Sequence, residues 1–420
     1  ILLRDNPVQM PESSFDFITS YDAMMTAPAD DFVFPDFDER MRATTFYTTG
    51  TTGEPKAVAF SHRQLVLHTM GLLAGLGPIE TSNRLHNGDV YMPITPMFHV
   101  HAWGIPYTAT MLGIKQVYPG RYEPERLVQM IKDHKVTFSH CVPTILQMVL
   151  NAEGAKDFDF GGMRVIIGGS ALNRSLYLAA KAKGMQLGAA YGMSETCPMI
   201  SAGYLNLELE QASEDEQIAH RIKAGVPGPL VEAQIMAADG TLLPQDGETQ
   251  GELVLRAPWL TQGYFREPEK SQELWAGGWM HTGDVATISP MGFIEIRDRI
   301  KDVIKTGGEW LSSLELEDLI SRSPLVAEVA VVGVPDPRWD ERPFALIVPA
   351  AGQTVTADAM AEHLMPFVEE GHINKWAIPR QIAVVTEIPK TSVGKLDKKR
   401  IRTEIAGWLD AGAECISSLA

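Results

Sequence analysis

At 420 residues, and taking roughly 150 residues per domain, the chain has room for two to three domains; being 45% hydrophobic and 21% charged, it can bury a sizeable core. Lys and Arg number 36 against 53 Asp and Glu, a net charge of −17, which argues against a nucleic-acid groove or an anionic membrane as main partner, since both demand positive potential. Cys141, Cys197 and Cys415 lie far apart and form no CxxC, so neither a zinc ribbon nor a disulfide framework is encoded, and no apolar run reaches the roughly 18 residues of a membrane span.

Residues 1–43 are acidic and punctuated by Pro7, Pro11, Pro28 and Pro35, a connecting stretch with room for one helix. The chain opens at Ile1 without an initiator Met, and no basic start is paired with an apolar stretch as in a signal peptide. The cytoplasm is the default location. From about 44 to 200, strand-like runs (Val90–Ile94, Lys115–Tyr118, Thr137–Cys141, Arg164–Ile167, Gln186–Ala190) alternate with helix-period segments (Pro124–His134, Pro143–Ala152, Asn173–Lys183). That alternation predicts a parallel α/β layer, with ligand sites at the carboxyl ends of the strands. Glu208, Glu210, Glu214, Asp215 and Glu216 form an acidic run without a compensating base, expected to be a solvated face or loop. Residues 225–296, rich in Gly and Pro with short β-type runs, predict a β-rich subdomain. A further unit from about 303 combines helices near Ser312–Ser321 and Ala357–Glu370 with strands Val326–Val334 and Gln381–Val385.

The most informative string is Thr44-Thr45-Phe46-Tyr47-Thr48-Thr49-Gly50-Thr51-Thr52-Gly53-Glu54-Pro55-Lys56. Two glycines allow a tight turn with exposed N–H groups, the threonine hydroxyls add donors, and Lys56 brings a cation, which together suit a polyphosphate. GxxxxGK[ST] is absent, so this is not a P-loop of the Walker A kind.

The string resembles the phosphate loop of the adenylate-forming superfamily, which comprises acyl-CoA synthetases, luciferase-type enzymes and the adenylation domains of peptide synthetases. Four further segments resemble that superfamily's motifs in order: Tyr191-Gly192-Met193-Ser194-Glu195-Thr196, Trp279-Met280-His281-Thr282-Gly283-Asp284, Arg297–Asp302 with Lys305–Glu309, and Pro389–Leu396. The resemblance implies a large N-terminal α/β domain, 1–298, carrying the β-rich subdomain and shortened at its start, and a small mobile α+β C-terminal domain, 299–420. It implies ATP, Mg²⁺ and CoA as cofactor and co-substrates, and a small carboxylic acid as partner. No nucleic acid is expected; a homodimer is one assembly open to it.

Residue roles follow from the same resemblance. Thr48, Thr49, Gly50, Thr51, Thr52, Gly53 and Lys56 would hold the ATP phosphates. Gly169, Ser170 and Ala171 would lie against adenine, though read alone they are equally a common turn. Tyr191 would stack on the purine within Gly192-Met193-Ser194, Glu195 would bind Mg²⁺ as a hard oxygen ligand, and Thr196 would donate to the nucleotide's phosphate. Asp284 and Arg299 would hold the ribose, Lys301 would be the hinge, and Gly307, Gly308 and Glu309 would pass the pantetheine arm of CoA. Lys395 would bridge the acyl carboxylate and the α-phosphate. It sits in a basic tail, Arg380–Arg402, whose seven Lys and Arg face only Glu387 and Asp397.

His99 and Trp103, spaced i, i+4 on a helix that has just begun, are expected to line an acyl pocket with Val142, Pro143 and Gly168. A large indole there favours compact acids, and the whole pattern is similar to short- and medium-chain fatty acyl-CoA ligases of fatty-acid metabolism, most of all to methylmercaptopropionate–CoA ligases of dimethylsulfoniopropionate catabolism. Two other readings stay open: adenylation that loads a carrier protein, and a truncated noncatalytic nucleotide-binding protein.

Overall fold

The computed structural model describes residues 14, 19–26, 32–48, 55–78, 84–306, 309–391, 394–410 and 414–415. The chain divides into an N-terminal unit, Ile1–Met41, and a main body, Arg42–Ala420. The first unit holds the one helix expected there, Tyr21–Met25, capped by Ser20, whose hydroxyl accepts from Ala23 N at 3.2 Å.

The main body is mixed α/β, with a large N-terminal domain and a smaller C-terminal one. It begins with an antiparallel hairpin, β1 (Arg42–Tyr47) and β2 (Ala57–Ser61). A seven-stranded sheet follows: β3 (Val90–Pro93), β4 (Lys115–Gln116), β5 (Phe138–Cys141), β6 (Arg164–Ile167), β7 (Gln186–Gly192), β8 (Met199–Ala202) and β9 (Val226–Pro227), in the order β4-β3-β5-β6-β7-β8-β9. The first five are parallel; β8 and β9 run antiparallel at one edge. β5 is buried along its whole length, as a parallel strand covered on both faces must be. The covering helices Pro124–His134 and Pro143–Asn151 start with proline at N1, where the missing N–H costs nothing, and Asn173 caps Arg174–Ala182 by accepting from Leu176 N at 2.8 Å.

This topology decides where a ligand can go. The chain moves from β3 outward to β4 and then back across to β5, so the connections after β3 and β5 leave in opposite directions. The carboxyl ends of β3, β5, β6 and β7 open onto that crevice. They deliver, in turn, residues 94–104, Val142, Gly168–Ala171 and Met193–Thr196.

The other ends of the strands are clamped. Asp89, 3% exposed, accepts from His86 N at 2.8 Å, from the Thr137 hydroxyl at 2.7 Å and from the Arg164 guanidinium, tying β3, β5 and β6 in register.

A four-stranded antiparallel sheet, β10 (Glu232–Met236), β11 (Gly251–Arg256), β12 (Met280–Ile288) and β13 (Ile294–Arg299), is ordered as it occurs in sequence and packs Ile235, Leu253, Leu255, Met280 and Ile294 into a core with Val58 and Phe60 of β2. The last sheet contains β14 (Ile304–Thr306), β15 (Glu309–Leu311), β16 (Val326–Asp336), β17 (Asp340–Pro349), β18 (Gln381–Val384) and β19 (Glu414–Cys415), packed by helices Ser313–Ser321 and Ala357–Glu369.

The acidic run is a solvated face, as expected, but it does not lack a base: Ser213 caps a helix, Glu214–Arg221, whose first turn holds the exposed Glu214, Asp215 and Glu216 where the helix dipole favours them. Arg174 pairs with Asp215, and Lys181 with Glu214 at 2.6 Å. The bases come from a helix some 30–40 residues earlier, beyond the reach of a local reading.

Asp89→Asn, by leaving Arg164 without its counter-charge, should cost about 3 kcal/mol. A urea titration followed by far-UV circular dichroism should show a lower midpoint with an unchanged slope.

Candidate active site

The β1–β2 turn is closed by Thr48 N donating to Lys56 O at 2.9 Å; Thr49, Gly50, Thr51, Thr52 and Gly53 lie outside the described residues. Lys56 places its ammonium 4.4 Å from the ring centroid of Tyr264. The same segment holds β2 from the side, through an isolated bridge between Val58 and Tyr264 and a bond from Phe265 N to Ala57 O at 2.9 Å.

After β7 the chain turns sharply through Ser194–Thr196. Gly192 is required there, because a Cβ would stand 2.0 Å from Pro198 O. Met193 packs against the core of the antiparallel sheet. Glu195 is buried, its backbone oxygen accepting from Thr261 N at 3.0 Å and its Oε1 from the Tyr264 hydroxyl at 2.7 Å. Thr196, expected as a phosphate donor, is engaged within its own turn in this structure. It is fully buried, and its hydroxyl is turned back to the carbonyls of Met193 and Pro198 while accepting from Met193 N at 2.9 Å. A hydroxyl has one proton, and this one is spent on the turn.

Tyr191, Asp284 and Arg299 are brought together. The Tyr191 hydroxyl donates to Asp284 Oδ2, and Arg299 Nε lies 3.4 Å from Oδ1. Burial raises the Asp284 carboxyl above its ordinary value, against the opposing pull of Arg299 and the Tyr191 hydrogen bond.

Lys395 reaches this group from the other domain. Its hairpin-like loop is closed by Thr391 N donating to Lys395 O at 2.8 Å and by the Lys390–Leu396 bridge. The Thr144 hydroxyl, at the start of helix Pro143–Asn151, donates to Gly394 O at 2.8 Å. Gly169, at φ +81°, lies against the lysine side chain: a Cβ there would stand 3.0 Å from Lys395 Cε and 3.1 Å from Val142 Cγ1. Ser170 and Ala171 are exposed beyond it. Burial, then the nearby Arg299 cation, lower the Lys395 ammonium to about 8, with Asp284 and Glu195 pulling the other way. Its neighbours in the tail are already paired: Lys390 with Glu328, Lys398 with Glu317, Arg400 with Glu404 and Arg402 with Asp302. Among the described residues Lys395 makes no ion pair within 4 Å.

The His99–Trp103 segment is not the expected helix start. Val100, His101, Ala102, Trp103 and Gly104 all have positive φ, between +46° and +76°, so the chain makes a left-handed turn before helix Ile105–Met111 begins. The i, i+4 reasoning therefore fails, yet both side chains stay near the crevice. His99 is held down to about 4, first by burial and then by the charge of Lys395. The buried Trp103 ring packs on Gly168, where a Cβ would stand 3.1 Å from Cη2, and its ring centroid lies 4.9 Å from that of His140. His140 is buried in turn against Tyr91, whose hydroxyl lies 2.7 Å from Nε2. Val142 lines the same wall, with the half-buried Pro143 next to it.

Lys301 is exposed at the third position of a turn closed by Asp302 N donating to Arg299 O at 2.8 Å. Gly307 and Gly308 lie outside the described residues, as does the side chain of Glu309, whose backbone belongs to β15. Tyr264, Thr144, His140 and the turn residues Arg338 and Trp339 were not foreseen. Of these only Pro337-Arg338-Trp339 carries a visible signal, an aromatic next to a cation in a proline turn.

Compared with known proteins, residues 8–265 match the AMP-binding enzyme family and residues 315–395 its AMP-binding enzyme C-terminal domain. The chain belongs to the AMP-binding enzyme family. It is 38% identical over 406 residues to a long-chain-fatty-acid–CoA ligase of Thermus thermophilus, covering 96% of this chain and 72% of that protein. It is 40% identical over 387 residues to a 3-methylmercaptopropionyl-CoA ligase of Ruegeria lacuscaerulensis, covering 91% and 70%. Its fold is similar to the crystal structure of ATP-bound MatB from Rhodopseudomonas palustris, with a TM-score of 0.77, 25% identity, and 91% of this chain and 71% of that one covered. This AMP-binding enzyme thus has relatives that are named acid–CoA ligases.

The lowered Lys395 carries a consequence for stability. An unfolded lysine, near 10.5, holds its proton to higher pH than the folded one, near 8, so burying the ammonium costs most below pH 8 and that cost fades towards pH 10.5. Lys395→Met should therefore melt about 2–4 °C above the parent at pH 7, and calorimetry at rising pH should show the gap closing.

Proposed function

We propose that this AMP-binding enzyme is an ATP-dependent acid–CoA ligase acting in two steps. A carboxylate oxygen attacks the α-phosphorus of ATP, the bond to the β-phosphate oxygen breaks, and acyl-adenylate and pyrophosphate result. The CoA thiolate then attacks the acyl carbon and AMP leaves. The observation that carries this reading is the Lys395 ammonium, supplied by the C-terminal domain and lodged against Gly169 beside Asp284 and Glu195.

The first step brings one anion against another, so charge neutralisation and positioning are what the protein must contribute. Lys395 lies where an acid carboxylate between His99 and Gly169 would meet an α-phosphate, and its partly desolvated charge acts at full strength there. Held neutral at physiological pH, His99 offers a hydrogen bond without competing for the anion's charge. Tyr191 offers an aromatic face, while Asp284, once its present partners yield, is an acceptor for sugar hydroxyls. Glu195 would hold Mg²⁺. The donor fits that ion: Glu195 is a buried carboxylate, and Mg²⁺ is commonly bound by one or two carboxylates plus phosphates and water. When bound, Mg²⁺ would neutralise charge on the polyphosphate.

The second step requires Lys395 to withdraw and a thiol to enter. We draw the domain boundary between Asp298 and Arg299, with rotation about the exposed Lys301 turn as the means. Arg338 on the β16–β17 turn and Arg342 on β17 lie 4.9 and 5.8 Å from the Trp339 ring, and the buried Arg342 Nε has no hydrogen-bond partner among the described residues. An aromatic face between guanidinium groups suits the phosphorylated nucleotide of CoA. Lys305 N donates to Glu341 on the same hairpin, linking it to the strand that precedes Gly307 and Gly308.

The substrate we assign is a short- or medium-chain acid, methylmercaptopropionate among them. Support comes from the Trp103–His140 wall and from the methylmercaptopropionyl- and medium-chain-fatty-acid–CoA ligases among its relatives, the latter 35% identical. We place the reaction in the cytoplasm, where ATP and CoA are pooled.

ATP–pyrophosphate exchange with methylmercaptopropionate, butyrate, octanoate and benzoate tests the reading. Exchange with none of them refutes it, and a thioester formed on adding free CoA separates it from carrier-protein loading. Lys395→Ala should lose about a hundredfold or more in adenylation, while thioester formation from preformed acyl-adenylate survives. Thr144→Val, which removes the bond to Gly394 O between the two domains, should slow adenylation about 2- to 10-fold and leave the second step alone.

A further inference from the structure

Glu195 and Lys56 carry opposite charges on neighbouring elements, yet they form no ion pair within 4 Å; one side chain stands between them. The Tyr264 hydroxyl donates to Glu195 Oε1 at 2.7 Å, and its ring faces the Lys56 ammonium at 4.4 Å from the centroid. The ring is rigid and its own position is over-determined. Its backbone bridges Val58 of β2, Tyr264 N donates to the Ser271 hydroxyl at 2.9 Å, and the preceding Thr261 donates through N to Glu195 O and through its hydroxyl to Ala59 O. Three segments distant in sequence, β2, the turn after β7 and residues 261–265, are thereby registered around Tyr264.

We propose that Tyr264 is a positioning residue that holds the Glu195 carboxylate and the Lys56 ammonium apart, a role that rests on the ligase reading given above. Free to approach, an ammonium and a carboxylate in a half-buried site collapse into a pair, and each then loses its capacity for an outside partner. The phenol prevents this from both sides. Its face satisfies the cation without a formal countercharge, so Lys56 stays available to a phosphate. Its hydroxyl occupies one carboxylate oxygen with a neutral donor, so Glu195 keeps its full charge and an oriented second oxygen for a hard cation. The Lys56 cation and the metal carboxylate are thus set in place before nucleotide arrives.

The two halves of the role separate by substitution. Tyr264→Phe keeps the ring and removes the hydroxyl; Tyr264→Leu removes both. The probes are ATP without divalent ion, measured by calorimetric titration, and Mn²⁺ added to the ATP-saturated full chain, with free Mn²⁺ followed by electron paramagnetic resonance. Tyr264→Phe should bind metal-free ATP within 2-fold of the parent but bind Mn²⁺ 3- to 10-fold more weakly. Tyr264→Leu should weaken both, and adding Lys56→Gln to it should restore part of the Mn²⁺ affinity while ATP affinity stays low. A merely structural tyrosine predicts instead that both affinities fall together in Tyr264→Phe, with a lowered melting temperature. That result, or Mn²⁺ affinity in Tyr264→Phe equal to the parent's, overturns the proposal, and Tyr264→Phe decides alone if the leucine variant fails to fold. A parent chain that takes up no Mn²⁺ with ATP would strike the ligase reading itself; a parent that does, matched by Tyr264→Phe, strikes only the role of Tyr264.

Discussion

An ammonium group presented by one domain and desolvated against another is the interaction on which the rest of this structure turns. Lys395 is held in the crevice by contacts of its loop, not by a countercharge of its own: Gly394 O accepts from Thr144, and Gly169 and Gly394, both at positive φ, let the two backbones come close. Arg299 makes the place less welcoming to a cation, while Asp284 and Glu195 make it more so. The site is consequently short of negative charge close to the lysine. On the ligase reading proposed above, two anionic substrates would supply what is missing, and docking of the C-terminal domain and filling of the crevice would reinforce each other.

The large domain prepares for that arrival by topology. Parallel strands aim their carboxyl ends the same way, and the reversal of strand order between β3 and β5 leaves a gap over which four connections hang. The Asp89 clamp at the far ends keeps three of those strands from sliding. A one-residue slip would turn Val142 or Gly168 away from the crevice. The antiparallel sheet contributes differently: its strands deliver Asp284 and Arg299, and the connection from β11 to β12 delivers Tyr264, from the side onto elements that the parallel sheet has already fixed.

Much of this was legible in the sequence, and the reasons differ by residue. Strand and helix spans such as Arg164–Ile167 and Pro124–His134 agree with their predicted bounds because apolar period and proline punctuation act locally. Tyr191, Glu195, Asp284, Arg299 and Lys395 were singled out through motif strings, and the fold brings them together from four separate stretches. What stayed hidden depended on partners far along the chain. Nothing near Tyr264 announces Lys56 or Glu195, and nothing near His140 announces Tyr91 and Trp103. Thr196 looked like a free hydroxyl in the string, but its proton goes to the carbonyls of its own turn. The handedness of residues 100–104 was beyond any pattern argument, since four of those five residues are not glycine.

That left-handed segment has a bearing on redesign. Each non-glycine residue held there costs roughly 1–2 kcal/mol of backbone energy, and Val100, His101, Ala102 and Trp103 all bear it. What retains them is the burial of Val100, Ala102 and Trp103 and the packing of the indole on Gly168 and His140. Trimming Trp103 to widen the acyl chamber proposed above would thus withdraw the restraint along with the bulk, and the loop would relax towards ordinary right-handed backbone. Broader substrate range at this wall is mechanically tied to the shape of the loop that carries His99, and an engineer would have to rebuild both together.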